Sequence, residues 1–142
     1  MSQSTSSEIR WEPGAELPEL RVTPDRYLTV RYAGASGDFN PIHIDEEFAK
    51  SVGLPGRILH GLWTMAQAAR ALTEAAGGPE HLKRLSVQFR GMGVPEQEIV
   101  VHATVLEREG DRVIVEPVVE QGGKRIIRNA RAELVIGSLG GG

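Results

Sequence analysis

Gly61-Leu-Trp-Thr-Met-Ala-Gln-Ala-Ala-Arg-Ala-Leu-Thr-Glu-Ala-Ala76 leaves little polar face on a helix. Leu62, Trp63, Met65, Ala66, Ala68, Ala69, Ala71 and Leu72 are apolar, and Gln67 and Arg70 are the chief interruptions. A helix apolar nearly all round is a buried one. Its alanines let a sheet approach closely. Gly77-Gly-Pro79 ends it, because glycine takes the left-handed cap and proline cannot continue the helix.

Downstream the period changes from helical to two, the mark of strands. Leu85-Ser-Val-Gln-Phe89 is one strand. Ile99, Val101, Ala103 and Val105 share a face of a second. Val113, Val115 and Val119 share a face of a third, where Pro117 signals an edge or a bulge. Ile126, Ala130, Ala132, Leu134 and Ile136 share a face of a fourth, with Arg128 the exception. Gly110-Asp111 and Gly122-Gly123 supply the turns. One buried helix followed by an antiparallel meander is an α+β architecture.

Upstream, residues 1–10 read as a disordered arm, Ser-rich at its start. Trp11, Pro13, Gly14 and Leu17 predict an ordered lead-in folded on the body. Leu20 to Thr23 predicts a short strand, and Thr23-Pro24 a helix start that carries Tyr27, Leu28, Arg31 and Tyr32 at helical spacing. Residues 11–137 then form one domain, and 138–142 a flexible tail. The 142-residue length suits one domain. With 40% hydrophobic and 25% charged residues the composition is that of an ordinary soluble protein. A net charge of −3 makes no case for a nucleic-acid surface. No apolar run approaches membrane-spanning length. The absence of cysteine excludes disulfides, a thiol nucleophile and thiolate metal sites. Cytoplasm is the expected location.

Between the two helices lies Tyr32-Ala-Gly-Ala-Ser-Gly-Asp-Phe-Asn-Pro-Ile-His-Ile-Asp45. Asp38 and His43 stand five apart, the wrong spacing for neighbours on a helix face. Pro41 disfavours the α region at Asn40, and Gly34 and Gly37 permit tight backbone. A bent loop is the expected form. A carboxylate and an imidazole that converge on one water make a compact acid–base device. Asp45 is read as the N-cap of a short helix opened by Glu46 and Glu47 and ended at Gly53.

This stretch resembles the signature of the MaoC-like, (R)-specific enoyl thioester hydratase family. Tyr32, Ser36, Gly37, Asp38, Asn40, Pro41, His43, Asp45 and Ala49 stand at the signature positions, and the His-Gly pair expected downstream is His60-Gly61. The likeness spans roughly Val22 to Ile136. It implies a hotdog fold, with the sheet wrapped around the long helix. It also implies a dimer with the acyl pocket near the subunit interface, either a homodimer or a heterodimer with another hotdog subunit, as in the mycobacterial-type 3-hydroxyacyl-carrier-protein dehydratases. The implied reaction is reversible hydration of trans-2-enoyl thioesters of CoA or acyl-carrier protein to (R)-3-hydroxyacyl thioesters, with no cofactor.

That chemistry needs a base, an acid and donors for the enolate oxygen. Asp38 and His43 are the acid–base candidates; which gives and which takes the proton stays open. The Gly61 N–H, at a helix start and with no side chain to block a thioester, is the enolate-stabilising candidate, with the N–H of Ile42 or a neighbour beside it. Thr64 would add a hydroxyl, Asn40 would fix the loop, and His60 would orient the helix start. His81 is read as solvated, and His102 has no role. Trp63 and Met65 are candidates for core or for an acyl tunnel. Arg57, Arg70, Lys83, Arg84 and Arg90 could rim a carrier site. His43, Asp45 and His60 lack the further His or Cys of a regular zinc set, so no metal is expected. The stretch Gly91–Glu98 carries Glu96-Gln97 after Pro95, where many relatives carry Pro-Gly-Asp. Two alternatives stand beside the hydratase reading: a hotdog thioesterase, which does not share the Asp-x-Asn-Pro-x-His loop, and a non-catalytic acyl-binding subunit, which tends to lose the Asp or the His.

Overall fold

The computed structural model describes residues 9–137. The tail read at 138–142 and most of the arm read at 1–10 lie outside that range. Ile9 lies inside it and packs on the core. The lead-in is ordered as expected: Trp11 and Leu17 are buried, and the Gly14 and Leu17 amides donate to Val105 and Ala103 at 2.8 and 2.9 Å.

The elements run β1 (Leu20–Val22), α1 (Leu28–Ser36), α2 (Pro41–Ile44), α3 (Glu46–Ser51), α4 (Gly61–Ala76), a 3-10 turn (Pro79–His81), β2 (Leu82–Phe89), β3 (Ile99–Glu109), β4 (Arg112–Gln121) and β5 (Lys124–Val135). One antiparallel sheet has the order β1-β3-β4-β5-β2. Its inner face packs on α4, which is the hotdog arrangement. Two clusters fill the space between them. Leu72 and Ala75 meet Trp11, Leu17, Val105, Val113, Val115 and Leu134 in one. Ala68 and Ala71 meet Leu59, Ile99, Val101, Val119 and Ile127 in the other.

Four local readings are corrected or narrowed. First, α1 starts at Leu28 and not at Pro24. The Asp25 carboxylate accepts the Tyr27 amide at 2.8 Å and its carbonyl accepts Leu28 at 3.1 Å, which holds 25–27 as a turn. Second, α4 is not buried all round. Leu62 is 65% exposed, and Ala66, Arg70 and Glu74 continue that exposed stripe at four-residue spacing. Third, β2 begins three residues earlier than read, at Leu82. Fourth, of the edge or bulge that Pro117 signals, the edge is excluded, since β4 lies between β3 and β5, and the bulge is found. It is fully buried where the β4–β5 register shifts, between Val115 and Val119. A proline has no N–H to offer, and a bulge in the partner removes the demand for one.

The bulge is at Asn129, whose φ is +54°. Asparagine tolerates that left-handed region better than most residues. One extra residue reverses which side chains face inward. Ala130, Ala132 and Leu134 point to the core above the bulge and Ile127 does so below it, and a second register shift, between Ile127 and Arg125, leaves Ile126 buried as well. Arg128 is therefore no exception to the pattern; it sits on the outer face.

From β2 the chain crosses to β3 through residues 90–98. Gln121, buried at the end of β4, holds this connection: its Oε1 accepts the Val94 amide at 2.8 Å, and its Nε2 donates to the carbonyls of Val94 and Gln97 at 2.8 and 2.9 Å. Glu96, in the Pro95-Glu96-Gln97 turn, has φ +74°. This is the second central position of a Pro-led turn, which favours glycine. Its side chain gains only a loose, exposed contact with Arg26 at 3.7 Å. Glu96→Gly is expected to raise stability by about 0.5–1 kcal/mol, the left-handed strain relieved less the added freedom of glycine in the unfolded chain. Urea unfolding would show a higher midpoint at an unchanged slope. A lower midpoint would mean that the Glu96 backbone carries no strain.

Candidate active site

The Tyr32–Asp45 stretch is less of a loop than expected. α1 runs through Ser36 and ends on Gly37, whose φ of +82° gives the left-handed cap. Residues 38–40 form the bend, and His43 sits on the four-residue helix α2. Asn40 caps α2, its Oδ1 accepting the Ile42 amide at 3.2 Å, with Pro41 at the first position. The Ile42 amide is thereby engaged by the Asn40 side chain. The Ile42 carbonyl accepts the Ile58 amide at 3.1 Å, which ties α2 to the segment before α4. Asp45 caps α3 as read, accepting the Phe48 amide at 3.0 Å.

His43 is buried. Its Nδ1 lies 2.9 Å from the Ile58 carbonyl oxygen. A carbonyl only accepts, so Nδ1 carries the proton and neutral His43 presents a lone pair at Nε2. That Nε2 faces Asp38 Oδ2 at 3.8 Å. The gap is too long for a direct hydrogen bond and lets one water reach both atoms. The Asp38 side chain is 53% exposed. Its Oδ1 accepts the Asn40 amide at 3.2 Å, and its own amide donates to Ser36 Oγ at 3.2 Å.

His60 is 3% exposed and stacks on His43, with ring centroids 3.9 Å apart and planes at 20°. Its Nε2 donates to the Asp38 main-chain carbonyl at 3.1 Å. The Tyr32 ring lies 4.8 Å away on a tilted approach. Burial pushes the His60 imidazole below its ordinary value of 6.5, against the hydrogen bond to Asp38, which pulls it up; the neighbouring His43 pushes it lower. As the pH falls, the unfolded chain then takes this proton first. The stability contributed by neutral His60 is complete above about 6.5 and is lost as the pH falls through the lower folded value. His60→Gln is expected to flatten that part of the stability–pH curve, measured by urea midpoints on both sides of the window. Parallel curves for the two proteins would refute the assignment.

A cavity of about 180 Å³ opens beside this cluster, lined by His43, Ile58, Leu59, Gly61, Thr64, Phe89, Gly91, Met92, Gly93 and Ile126. Gly61 opens α4, and His60 caps it without a side-chain hydrogen bond, so the first amides are open to a ligand. A Cβ at Gly61 would sit 3.2 Å from the Phe89 ring. At Gly93 it would meet Leu59 Cδ1 at 2.8 Å, and at Gly91 the Arg125 carbonyl oxygen and Ile126 Cγ2, both at 3.3 Å. Thr64 is buried on the cavity wall and points its hydroxyl back to the His60 carbonyl at 3.4 Å.

The structure thus gathers Asp38, His43, His60, Gly61 and Thr64, with Asn40 and Ile42 holding the bend. Other sequence candidates fall elsewhere. Trp63 and Met65 pack on the second core cluster. His81 is not simply solvated, because its Nδ1 donates to the Val135 carbonyl at 2.8 Å. Arg57 lines a separate surface cavity with Arg26, Tyr27 and Pro95. It bridges the Glu46 carboxylate, the Arg26 carbonyl and Thr29 Oγ1 at 3.3, 2.9 and 3.3 Å. The set His43, Asp45 and His60 is not assembled, since Asp45 caps α3. Potential ligand atoms of Asp38, His43 and His60 do lie within 4.8 Å of one another. Each imidazole commits one nitrogen to a carbonyl and keeps the lone pair of the other. Neither the stacking of His60 nor its hold on Asp38 is legible in the sequence; the only signal for them is a His-Gly pair at the start of a buried helix.

An antiparallel sheet around one long helix, with this acid–imidazole bend beside the helix start, defines a hotdog protein. More narrowly, residues 10–129 match the MaoC-like domain model, and the chain belongs to that family. It is 39% identical over 127 residues to the peroxisomal hydratase-dehydrogenase-epimerase of Neurospora crassa, which covers 87% of this chain and 13% of that protein. It is 36% identical over 111 residues to the peroxisomal enoyl-CoA hydratase 2 of Arabidopsis thaliana, which covers 77% of this chain and 34% of that one. The chain therefore spans about a third or less of these relatives. Among solved structures, a MaoC-like dehydratase superposes with a TM-score of 0.84 at 31% identity, over 87% of this chain and 40% of the other. The R-hydratase PhaJ1 of Pseudomonas aeruginosa gives 0.78 at 25%, over 87% and 81%.

Proposed function

We propose that this domain is a hydro-lyase that interconverts trans-2-enoyl and (R)-3-hydroxyacyl thioesters of CoA or acyl-carrier protein. The observation that carries the proposal is the 3.8 Å gap between Asp38 Oδ2 and His43 Nε2 beside a cavity that reaches the open start of α4. A water in that gap donates to both acceptors. As its oxygen bonds to the β carbon, one of its protons passes to the Asp38–His43 pair. The π electrons move toward the thioester oxygen, whose enolate charge meets the Gly61 N–H. The pair then returns the proton to the α carbon. Water is consumed, no electrons are exchanged, and the reverse sequence is dehydration.

The (R) outcome is carried over from relatives named as R-hydratases. A dimer, with a second copy or another hotdog subunit, belongs to the same proposal. β2 is an edge strand of the sheet, Phe89 and Met92 stand exposed on the cavity wall, and Leu62 is exposed next to Gly61. The proposed location is the cytoplasm. Among the described residues no helix is long and apolar enough to cross a membrane.

The test is incubation with trans-2-butenoyl-CoA and a longer enoyl-CoA, then with the carrier-linked esters, following loss of the conjugated thioester absorbance with chiral analysis of the product. Formation of the (R)-3-hydroxyacyl thioester is expected. Release of free thiol would point instead to a thioesterase. Absence of turnover on both carriers, with the fold intact, both alone and with candidate hotdog partner subunits, would reject the proposal.

A further inference from the structure

We propose that His60 is a positioning residue that holds both reacting groups, an inference that rests on the hydro-lyase reading above. His43 needs little help from the bend, because its Nδ1–H is fixed on the Ile58 carbonyl. Asp38 differs. The hydrogen bonds that residues 37–40 make with their neighbours are local: Gly37 to Ala33, Asp38 to Ser36, Asn40 to Asp38, Ile42 to Asn40 and His43 to Asn40. Among the described residues the one long-range hydrogen bond to 37–40 comes from His60, 22 positions away, at 3.1 Å on the Asp38 carbonyl. A half-exposed carboxylate on a bend that follows a left-handed glycine thus takes its place from a single imidazole. The same ring lies flat on His43 at 3.9 Å. One side chain therefore sets the position of the acid relative to the imidazole, and with it the gap that a water would fill.

His60 suits this task. Tyr32 from α1 and His43 from α2 cover its ring, Asp38 takes its Nε2–H, and the Thr64 hydroxyl of α4 bonds its carbonyl. Burial favours the neutral form. A neutral ring adds no second positive charge beside His43 when that group holds a proton. Displacement of a reacting group by about 1 Å can cost about a hundredfold in rate, so a pin on the Asp38 main chain acts on turnover and not on substrate affinity.

Three variants of the full chain separate the donor from the ring. His60→Gln places an amide N–H at the same reach as Nε2, His60→Phe keeps the stack without a donor, and His60→Asn carries a donor too short to reach. With the enoyl-CoA that the wild type hydrates, His60→Gln is expected to keep kcat within about fivefold. His60→Phe and His60→Asn should lose about a hundredfold in kcat with KM nearly unchanged. A kcat within about threefold of wild type for folded His60→Phe would overturn the proposal, as would an equal loss in His60→Gln and His60→Phe. A second readout is independent of turnover. The long-range proton–nitrogen spectrum should show His60 as the Nε2–H tautomer, and amide order at Gly37 to Asn40 should fall in His60→Phe and His60→Asn but not in His60→Gln. Unchanged order in all three would reject the pin. Failure of the wild type on every enoyl thioester, alone and with candidate hotdog partner subunits, would reject the hydro-lyase reading, while the order measurement would still decide the pin.

Discussion

Asp38→Asn is expected to lower kcat on an enoyl thioester by about three orders of magnitude, within the span of about 10² to 10⁴ typical for loss of a general acid–base group. The fold should not register the change. Asp38 makes one side-chain hydrogen bond in the described structure, Oδ1 to the Asn40 amide, and an asparagine offers the same carbonyl oxygen there. What is lost is the second acceptor, Oδ2, across the gap from His43 Nε2. An amide nitrogen in that place donates where water must also donate, so the water is no longer held by two acceptors. Substrate affinity should change little, because the carboxylate does not line the cavity. Stopped or steady-state kinetics together with urea unfolding would check both halves. A variant within tenfold of the wild type would remove Asp38 from the chemistry. A large loss of stability would mean that the carboxylate does structural work that its exposure does not suggest.

Leu72→Ala is expected to cost about 3 kcal/mol, the middle of the range for leucine truncation in a packed core. Leu72 is 0% exposed and belongs to the cluster with Trp11, Leu17, Val105, Val113, Val115 and Leu134. These neighbours come from the lead-in and from three strands of one sheet. Strand backbones are held by their ladders and cannot move in to fill the space, so most of the cavity term remains. For a domain of this length the unfolding temperature should fall by roughly 10 °C. Because Leu72 lies two turns beyond Thr64 on α4, kcat measured well below the transition should stay near that of the wild type. A shift of only a few degrees would mean that the cluster collapses around the deletion.

Local interactions made much of this legible in the sequence. α4 runs from Gly61 to Ala76 as read, because a glycine cap at Gly77 and the apolar run define it without reference to anything distant. The same is true of Asp45, whose partner is three residues away, and of Asn40, whose partner is two away. The features that were not legible depend on residues far apart in the chain. Asn129 reverses the faces of β5, and nothing in the alternation of Ile126 to Ile136 shows where the extra residue falls. Gln121 looks like any polar strand end until its partners, 24 and 27 positions upstream, come into contact with it. His60 belongs with them: its tie to Asp38 spans 22 residues and leaves no periodic trace. Glu96 was partly visible. The departure from Pro-Gly-Asp stands in the sequence, but the positive φ at Glu96 follows only if the turn keeps its shape, as it does.

The cavity wall built by Gly91 and Gly93 bears on how such a protein changes over generations. Part of the open volume beside Gly61 exists because these two positions carry no side chain: a single added carbon at Gly93 would run into Leu59, and one at Gly91 would press on Ile126 and the Arg125 carbonyl. Every glycine codon is one base away from an alanine codon. A descendant can therefore narrow this pocket by a single point mutation in a connection between strands, provided that Leu59 or Ile126 shifts to admit the new carbon. A descendant that needs more room has no comparable step there, since glycine cannot be trimmed further. It must instead shorten Leu59, Ile126 or Phe89, and the first two of these also pack the interior. A change of pocket size at this wall in either sense therefore reaches Leu59 or Ile126, and both senses cost core packing.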